Sequence, residues 1–312
     1  MDNSRSNSST ELPISWKIHE LLSLASDYTS DLFHGDRVPA VLRFCDEYDG
    51  LLRKYANLTL RNAKVFEIGF GTRAGIMTAL VSLGVDARGV DLDAPLLRGT
   101  PSELFEMCRK NGIERMMKSF IRFYAFDWVW RRRLRRELER RGSTLRTPDG
   151  RLIVQDAATV NMPDHSLDLI CSESVFEHIP IRSLEPLLAN MAKWLKPTGI
   201  ALIRPDVFTG ISGGHLLEWF DLRESRRRRS EPWEHLRKRR FHGNVYLNEL
   251  TRADYRRLFS QNFEIIEERV VDPDQGRQFY TPEVAADLKQ YGNDEIFSNG
   301  VQFVLRPKLS TV

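Results

Sequence analysis

The chain has 312 residues, of which 41% are hydrophobic and 29% are charged, and its formal net charge is +3. This length accommodates one large α/β domain with insertions, and no apolar run approaches the roughly 18 residues that a membrane span requires. The three cysteines, Cys45, Cys108 and Cys171, are widely separated and indicate neither a disulfide framework nor a zinc knuckle. We therefore expect a cytoplasmic protein that is not integral to a membrane.

The N-terminal region is predicted to precede the main domain. Its first residues are rich in Ser and Asn and lack the apolar core of a secretory signal, which is typical of a disordered tail. The next segment predicts helices over Trp16–Tyr28 and Val38–Tyr55, a cap that covers either a ligand or the edge of a sheet. The predicted units are a tail at 1–13, a helical cap at 14–60 and one α/β domain at 61–312 with insertions at 101–150 and 205–246.

A glycine-rich turn follows the first predicted strand, in the sequence V-F-E-I-G-F-G-T-R-A-G. Val65–Ile68 is apolar and predicts a buried strand, and the chain then reaches Gly69 and Gly71, where a backbone can turn sharply and approach a ligand. Thr72–Leu83 has helical spacing, and a second strand ends in G-V-D-L-D at Asp91. This βαβ pattern predicts a nucleotide-like cofactor whose ribose hydroxyls are bound by the acid.

Strands and helices alternate through the remaining chain, which predicts a mostly parallel sheet with helices on both faces. A helical insertion over Pro101 to Arg141 carries an aromatic cluster and a run of arginines. The spacing of Thr251 and Asp254 predicts a helix capping box. The other predicted elements are strands at Arg151–Gln155, Ser166–Ser172, Ile200–Arg204, Phe263–Val271 and Val301–Leu305, and helices at Leu184–Leu195, from Thr251 to Phe259 and at Thr281–Tyr291.

Three features distinguish between two possible cofactors. The run from Gly69 to Ala74 fits the G-x-G-x-x-G/A pattern of dinucleotide sites, so a nicotinamide-dependent oxidoreductase must be considered. However, Glu67 places a carboxylate at the end of the strand, which suits a cationic ligand better than a pyrophosphate. The other two features are the segments S-L-D-L-I-C-S-E-S-V-F-E-H-I at 166–179 and W-L-K-P-T-G-I-A-L-I at 194–203.

Together these segments resemble the class I S-adenosylmethionine-dependent methyltransferases, particularly the bacterial group that modifies small molecules, glycans and lipids. The resemblance covers roughly 64–99 and 151–204, with a weaker similarity over 244–271. It implies an α/β Rossmann-like three-layer sandwich, with a mostly parallel sheet of about seven strands whose last strand is antiparallel. It also implies that S-adenosyl-L-methionine is the cofactor.

The resemblance assigns cofactor-binding roles along the strand ends. The glycine loop would cradle the methionine part of the cofactor, and the acid at the end of the second strand would bind its ribose. Residues after the third strand would lie beside the adenine, and residues at the end of the fourth strand would line the cofactor from the other side. Arg73 stands where the family often carries a third glycine. The implied cofactor-binding residues are Glu67, Gly69, Gly71, Asp91, Asp156, Ala157 and Ser172.

Methyl transfer to a hydroxyl benefits from a base near the carboxyl ends of the strands. The candidates are His178, His215 and Asp206, with Glu177 beside them. His215 follows a glycine-rich stretch that we expect to be flexible. In some quinone-pathway relatives the Glu-His pair binds a divalent metal together with an acid three residues before its Glu, but Ser174 is at that position here, so no metal is predicted. Alternatively, the pair caps and orients the following helix.

The acceptor is predicted to be a hydroxyl of a small molecule, glycan or lipid-linked sugar. The aromatic residues between 215 and 247 either stack on the acceptor or pack in the core. The arginine-rich segment 120–141 is compatible with peripheral membrane contact, with dimerisation or with a lid. Basic segments at 115–151 and 223–240 leave a nucleic-acid methyltransferase as an alternative, although no N/D-P-P-Y/F sequence follows the fourth strand, which makes nucleic acid an unlikely acceptor. The sequence does not predict an oligomeric state.

Overall fold

A sheet of seven strands forms the centre of the computed structural model, which describes residues 37–308 apart from 221, 223–227, 242 and 244. The predicted tail and the helix predicted at Trp16–Tyr28 lie outside the described residues. The strands have the order β3-β2-β1-β4-β5-β7-β6, in which β1 to β5 are parallel and β7 is antiparallel to both of its neighbours. The strands are β1 Lys64–Ile68, β2 Asp86–Asp91, β3 Leu152–Val154, β4 Leu167–Glu173, β5 Leu195–Arg204, β6 Phe263–Val270 and β7 Val301–Pro307.

Helices cover both faces of this sheet, which is why the residues of β4 from Leu167 to Ser172 are all buried. The first, second and fourth helices pack on one face, and the fifth and seventh pack on the other. The predicted fold class is therefore confirmed. The helices are α1 Arg37–Ala56, α2 Gly75–Ser82, α3 Pro101–Arg122, α4 Trp128–Arg140, α5 Ile181–Trp194, α6 Glu234–Arg237, α7 Arg252–Asn262, α8 Pro282–Asp287 and α9 Asn293–Ile296.

The insertion between β2 and β3 is helical but not continuous. The backbone at Gly112 leaves helical geometry with φ of 83°, which divides α3 into two halves, and a π-helix at Phe123–Asp127 joins α3 to α4. The apolar side chains Trp130, Leu134 and Leu138 of α4 are buried in the same core as α1 and α2. This half of the predicted membrane-contacting segment therefore packs its apolar face on the protein.

The segment after β5, which was predicted as an insertion at 205–246, has a core of its own. Trp219 and Trp233 are buried there among residues of α8 and α9 and of the turns around them. Burial excludes these two tryptophans as stacking platforms for an acceptor, and core packing is their role.

Local boundaries depart from the predicted ones where tertiary pairing overrides the sequence pattern. The strand predicted to begin at Ile200 begins at Leu195 instead, because Leu195 already pairs with β4 before the pairing resumes at Ile200. The predicted capping box at Thr251 and Asp254 is present and opens α7. No helix in the described part of the chain has the length and apolarity to cross a bilayer.

Candidate active site

The two glycines of the turn after β1 have different physical roles. Gly69 has φ of 85° and Gly71 has φ of 64°, values that L side chains rarely adopt. A Cβ at Gly69 would lie 2.1 Å from Cγ2 of Val175, whereas a Cβ at Gly71 would have no described atom within 4 Å. Gly69 therefore allows the loop after β4 to pack closely, and Gly71 leaves open space where a ligand can approach the backbone.

Asp91 ends β2 and shapes this turn directly. Its Oδ2 accepts a hydrogen bond from the backbone N–H of Gly71 at 2.6 Å, and its Oδ1 accepts one from that of Asp93 at 2.8 Å. Burial raises the pKa of the Asp91 carboxyl, while these two backbone donors oppose the shift. A carboxylate has about four lone-pair sites, so this side chain keeps capacity for the hydroxyls of a ligand.

Glu67 is a buried acid close to the same turn. Its Oε2 has no hydrogen-bond partner among the described residues. Burial raises the pKa of Glu67 well above its usual range, and the nearby carboxyls of Asp91 and Glu173 raise it further. An acceptor held in this way is satisfied best by a cationic donor from a ligand, in agreement with the expectation from sequence.

The remaining predicted cofactor residues lie along the same edge of the sheet. Asp156 caps a short 3₁₀ helix at Ala157–Thr159, with its Oδ1 accepting from the N–H of Ala158 at 2.9 Å. The hydroxyl of Ser172 is buried and donates to the carbonyl of Ile68 at 2.8 Å, which ties β4 to β1. Their contacts to a cofactor stay predictions.

Four predicted polar residues converge beyond the ends of β4 and β5, and we call Glu177, His178, Asp206 and His215 the strand-end cluster. His178 Nε2 lies 3.8 Å from Glu177 Oε1, and His215 Nε2 lies 3.8 Å from Asp206 Oδ2. The two imidazole rings meet edge to face with centroids 4.8 Å apart. The structure therefore brings together all three predicted base candidates, from chain segments about 30 residues apart.

Burial dominates the electrostatics of the strand-end cluster. It raises the pKa of Glu177 well above its usual range, with a further increase from Asp206, and it raises the pKa of Asp206 to about 6. It lowers the pKa of His215 to about 4, and the neighbouring His178 and His235 lower it further. His215 is therefore neutral at pH 7, with a nitrogen lone pair available.

The local backbone fixes both histidines. His178 Nδ1 bonds to the carbonyl oxygen of Tyr246 at 2.9 Å. His215 has φ of 54°, a conformation that costs energy for a residue with a Cβ and that clusters at functional sites. The glycine-rich stretch before it is not the flexible segment we expected, because a Cβ at Gly214 would lie 2.5 Å from the ring of His235.

The family is decided by a match in sequence together with the topology. A family model described as a methyltransferase domain matches residues 108–203, which include β3, β4 and β5. The sheet has seven strands of which the last, β7, is antiparallel, as the resemblance implied. The chain contains a class I S-adenosylmethionine-dependent methyltransferase domain. Its methyl donor is S-adenosylmethionine, and the open face at Gly71 and the unpartnered oxygen of Glu67 fit that cofactor.

Several solved methyltransferases are similar to the chain at low sequence identity. The chain is similar to a TehB-like S-adenosylmethionine-dependent methyltransferase from Corynebacterium glutamicum, at 15% identity over 88% of this chain and 98% of the other, with a TM-score of 0.40. One from Methanosarcina mazei has 15% identity over 83% and 98%, with a TM-score of 0.44.

A third similar structure is the 1,6-didemethyltoxoflavin-N1-methyltransferase of Burkholderia thailandensis, solved with its substrate and S-adenosylhomocysteine. It has 12% identity over 93% of this chain and 90% of the other, with a TM-score of 0.42. No curated protein sequence matches the methyltransferase.

Arg73, which replaces a third glycine of the family, binds the helical insertion of this methyltransferase. Its guanidinium donates to Asp127 Oδ1 at 2.5 Å and lies 5.2 Å from the ring centroid of Trp130. Arg122 donates to the other oxygen of Asp127 at 3.1 Å and also bonds the hydroxyl of Thr72. The insertion therefore holds the glycine turn through a buried carboxylate, a connection that no local pattern in the sequence indicated.

A second buried network, which the sequence did not reveal, ties α1 to the end of β4. Glu173 accepts from the Tyr48 hydroxyl and from Arg204, each at 2.9 Å. Burial raises the pKa of Glu173 to about 7 against the opposing effect of Arg204. The only signal in the sequence was the position of Glu173 directly after Ser172 at the end of a predicted strand.

Intramolecular ion pairs account for much of the second basic segment where it is described. Arg237 pairs with Glu231, Glu283 and Asp287, and Arg240 pairs with Glu234. These contacts support the interpretation of 228–240 as a folded segment with internal charge compensation rather than as a nucleic-acid surface.

Proposed function

We propose that the methyltransferase methylates a hydroxyl of a small molecule, a glycan or a lipid-linked sugar, and that the strand-end cluster binds this hydroxyl. The observation that carries the proposal is that the cluster contains buried hydrogen-bond acceptors without partners. Both carboxylate oxygens of Glu177 and Nε2 of His215 are buried and have no hydrogen-bond partner among the described residues. Unpaired buried acceptors are costly, and a donor hydroxyl would satisfy them.

The cofactor side of the site is assigned by the same reasoning. Glu67 would accept from the ammonium group of the cofactor, Asp91 from its ribose hydroxyls, and the open backbone face at Gly71 would allow close approach. Asp156 and Ala157 would lie beside the adenine. Gly69 and Ser172 support this arrangement through their packing and hydrogen bond within the strand ends.

S-adenosylmethionine, when bound, supplies a methyl group on a sulfonium, so the S–C bond breaks onto sulfur as the acceptor oxygen forms its bond to carbon. The protein's contribution is to align that oxygen and to accept its proton. Alignment of two reactants is worth roughly 7 to 11 kcal/mol. His178, His215 and Asp206 would be the candidates to take the proton, a role supported by the meeting of their side chains at the ends of β4 and β5.

An exposed apolar stripe supports an acceptor presented at a lipid surface. Large apolar side chains with exposed fractions from 38% to 71% project from α3, from the π-helix and from the start of α4. An apolar cavity of about 310 Å³ lies between the two halves of α3. The surrounding segment 101–141 is positively charged, with 12 basic and 6 acidic residues. Apolar side chains flanked by positive charge are typical of segments that lie on anionic membranes. The stripe consists of Phe105, Ile113, Met117, Phe120, Ile121, Tyr124 and Trp128.

Co-sedimentation with vesicles tests this surface. We expect the protein to bind vesicles that contain an anionic lipid more strongly than neutral ones, and the double variant Met117→Ser with Ile121→Ser to lose at least tenfold in binding. Ile181→Ser, which removes an exposed apolar side chain on α5, is the matched control. Equal binding by the double variant and by the wild type would remove the stripe from the proposal.

Isotope-labelled S-adenosylmethionine tests the reaction. We expect label to enter a small-molecule, glycan or lipid fraction of a bacterial extract as an O-methyl group, and His215→Gln to slow transfer at least tenfold without changing the affinity for S-adenosylhomocysteine. His165→Gln, which changes an exposed histidine at the opposite end of β4 from the cluster, is the control. Label found only in nucleic acid would favour the alternative acceptor and contradict the proposal.

A further inference from the structure

We propose that the strand-end cluster binds a divalent first-row transition-metal ion through Glu177, His178 and His215. This proposal rests on the proposed function only for the role of the ion, which is to bind the acceptor's oxygen. The binding site itself is argued from the protein alone.

The geometry of the three side chains is close to that of a metal site. One ligand atom from each of Glu177, His178 and His215 lies within 4.8 Å of the others. Ligands of one ion with bonds of about 2.1 Å lie roughly 3 to 3.5 Å apart, so adjustments of about 1 Å would close the site. Two of these ligands are adjacent in a 3₁₀ helix after β4, and the third follows β5.

Buried atoms without partners point to a missing positive charge. Glu177 has only 3% of its surface exposed, yet neither of its carboxylate oxygens has a hydrogen-bond partner among the described residues, and neither does Nε2 of His215. Glu177 makes no capping hydrogen bond to α5, because neither of its carboxylate oxygens has a partner among the described residues. A cation bound by three such atoms would compensate their burial.

The hydrogen bond at the far side of His178 orients it as a ligand. Because Nδ1 faces the carbonyl oxygen of Tyr246 at 2.9 Å, it must carry the proton, and Nε2 then presents its lone pair to Glu177. A histidine held by a backbone carbonyl in this way is the usual outer support of a metal-binding imidazole.

The donor set selects the class of metal. Two imidazoles and one carboxylate suit Zn²⁺, Fe²⁺ or Co²⁺ better than Mg²⁺ or Ca²⁺, which prefer oxygen ligands. Three protein ligands also leave positions open for a hydroxyl oxygen, whose pKa a bound ion lowers. Asp206 remains free to take the proton when that oxygen bonds to the methyl carbon. The sequence predicted no metal because Ser174 replaces an acid, whereas in this proposal His215 provides the third ligand.

Titration of the full chain with Co²⁺, without a histidine tag, cofactor or acceptor and after removal of metals by a chelator, tests the site. We expect one ion per chain by calorimetry, with visible ligand-field absorption from nitrogen and oxygen ligands. His215→Gln, His178→Gln and Glu177→Gln should each weaken binding at least tenfold, and His165→Gln should bind as the wild type. Glu177→Gln keeps the size of the side chain, so it serves if a histidine variant does not fold.

Absence of saturable Co²⁺ binding, or wild-type affinity in Glu177→Gln and His215→Gln, would overturn the metal site. Binding of S-adenosylhomocysteine in the presence of a chelator is measured on the same samples and reports the cofactor site separately. Methyl transfer that proceeds unchanged in the chelator would contradict the role of the ion and leave the proposed function standing. Tight Co²⁺ binding without any methyl transfer would contradict the proposed function and leave the metal site standing.

Discussion

Two polar regions lie at the same edge of the sheet, the glycine turn at β1 and β2 and the strand-end cluster at β4 and β5. They differ in whether their polar groups have hydrogen-bond partners. At the turn, Asp91 accepts from two backbone N–H groups, and Arg73 is paired with a buried carboxylate. At the cluster, atoms of Glu177 and His215 are buried without partners in the described part of the chain. The backbone of the turn is therefore shaped by the protein itself, whereas the cluster, like the unpartnered Oε2 of Glu67 beside the turn, is completed by what it binds.

The largest effect is expected from the carboxylate that holds the turn. Asp127→Ala leaves the guanidinium groups of Arg73 and Arg122 without their common partner, and removal of one member of a buried ion pair costs about 3 to 5 kcal/mol. We expect the free energy of unfolding in urea to fall by that amount. Glu137→Ala, which removes an exposed partner of Arg140, is the control and should change it by less than about 0.5 kcal/mol. Equal stabilities of the two variants would show that the insertion does not hold the turn.

The two glycines of the turn should separate packing from ligand access. Gly69→Ala combines backbone strain with a clash against Val175 and should destabilise the fold by about 3 kcal/mol. Gly71→Ala has space for its methyl group and should cost only about 1 kcal/mol of strain, but it should weaken binding of S-adenosylhomocysteine at least tenfold. Thermal unfolding and calorimetry distinguish these outcomes, and wild-type cofactor affinity in Gly71→Ala would show that the open space is not the cofactor's.

Removal of the acid at the end of β2 should have an intermediate effect. Asp91→Ala is expected to weaken S-adenosylhomocysteine binding by about 1 to 3 kcal/mol, because the ribose hydroxyls and the N–H of Gly71 lose their acceptor. Asp93→Ala removes an acid that pairs with Arg115 and should have a smaller effect. The assignment of the ribose to Asp91 fails if calorimetry gives the two variants the same affinity.

The smallest effect is a dependence of stability on pH. The pKa of Glu173 is about 7 in the folded protein, above its ordinary value, so the folded chain binds more protons than the unfolded chain between roughly pH 4.5 and 7. The free energy of unfolding should therefore fall as pH rises through this window, by at most about 1.4 kcal/mol per pH unit. Glu173→Gln should remove that slope. Urea denaturation at pH 5 and pH 7 measures it, and parallel changes in both proteins would contradict the assignment.

The parts of the fold that the sequence predicted are those specified by neighbouring residues. The strand, glycine turn, helix and acid from Val65 to Asp91 are consecutive, and the capping box of Thr251 and Asp254 spans four residues. Parallel strands also place their carboxyl ends at one edge, so the meeting of His178 and His215 could be expected from topology alone.

The parts that could not be predicted depend on contacts between distant residues. Arg73 meets Asp127 across 54 positions, and Tyr48 meets Glu173 across 125, and neither pair has a local pattern. Trp233 is buried in the separate core after β5, whose residues are distant in sequence and meet only in the folded chain. The same limit applies to the glycines before His215, whose tight packing against His235 is invisible in the sequence.

A structure of the complex with S-adenosylhomocysteine is the decisive test of the cofactor and cluster assignments. We expect the ribose hydroxyls to bond to Asp91, the amino group to lie beside Glu67, and the sulfur to face the strand-end cluster. A complex in which the ribose lies away from Asp91, or in which the sulfur is turned away from His178 and His215, would contradict it.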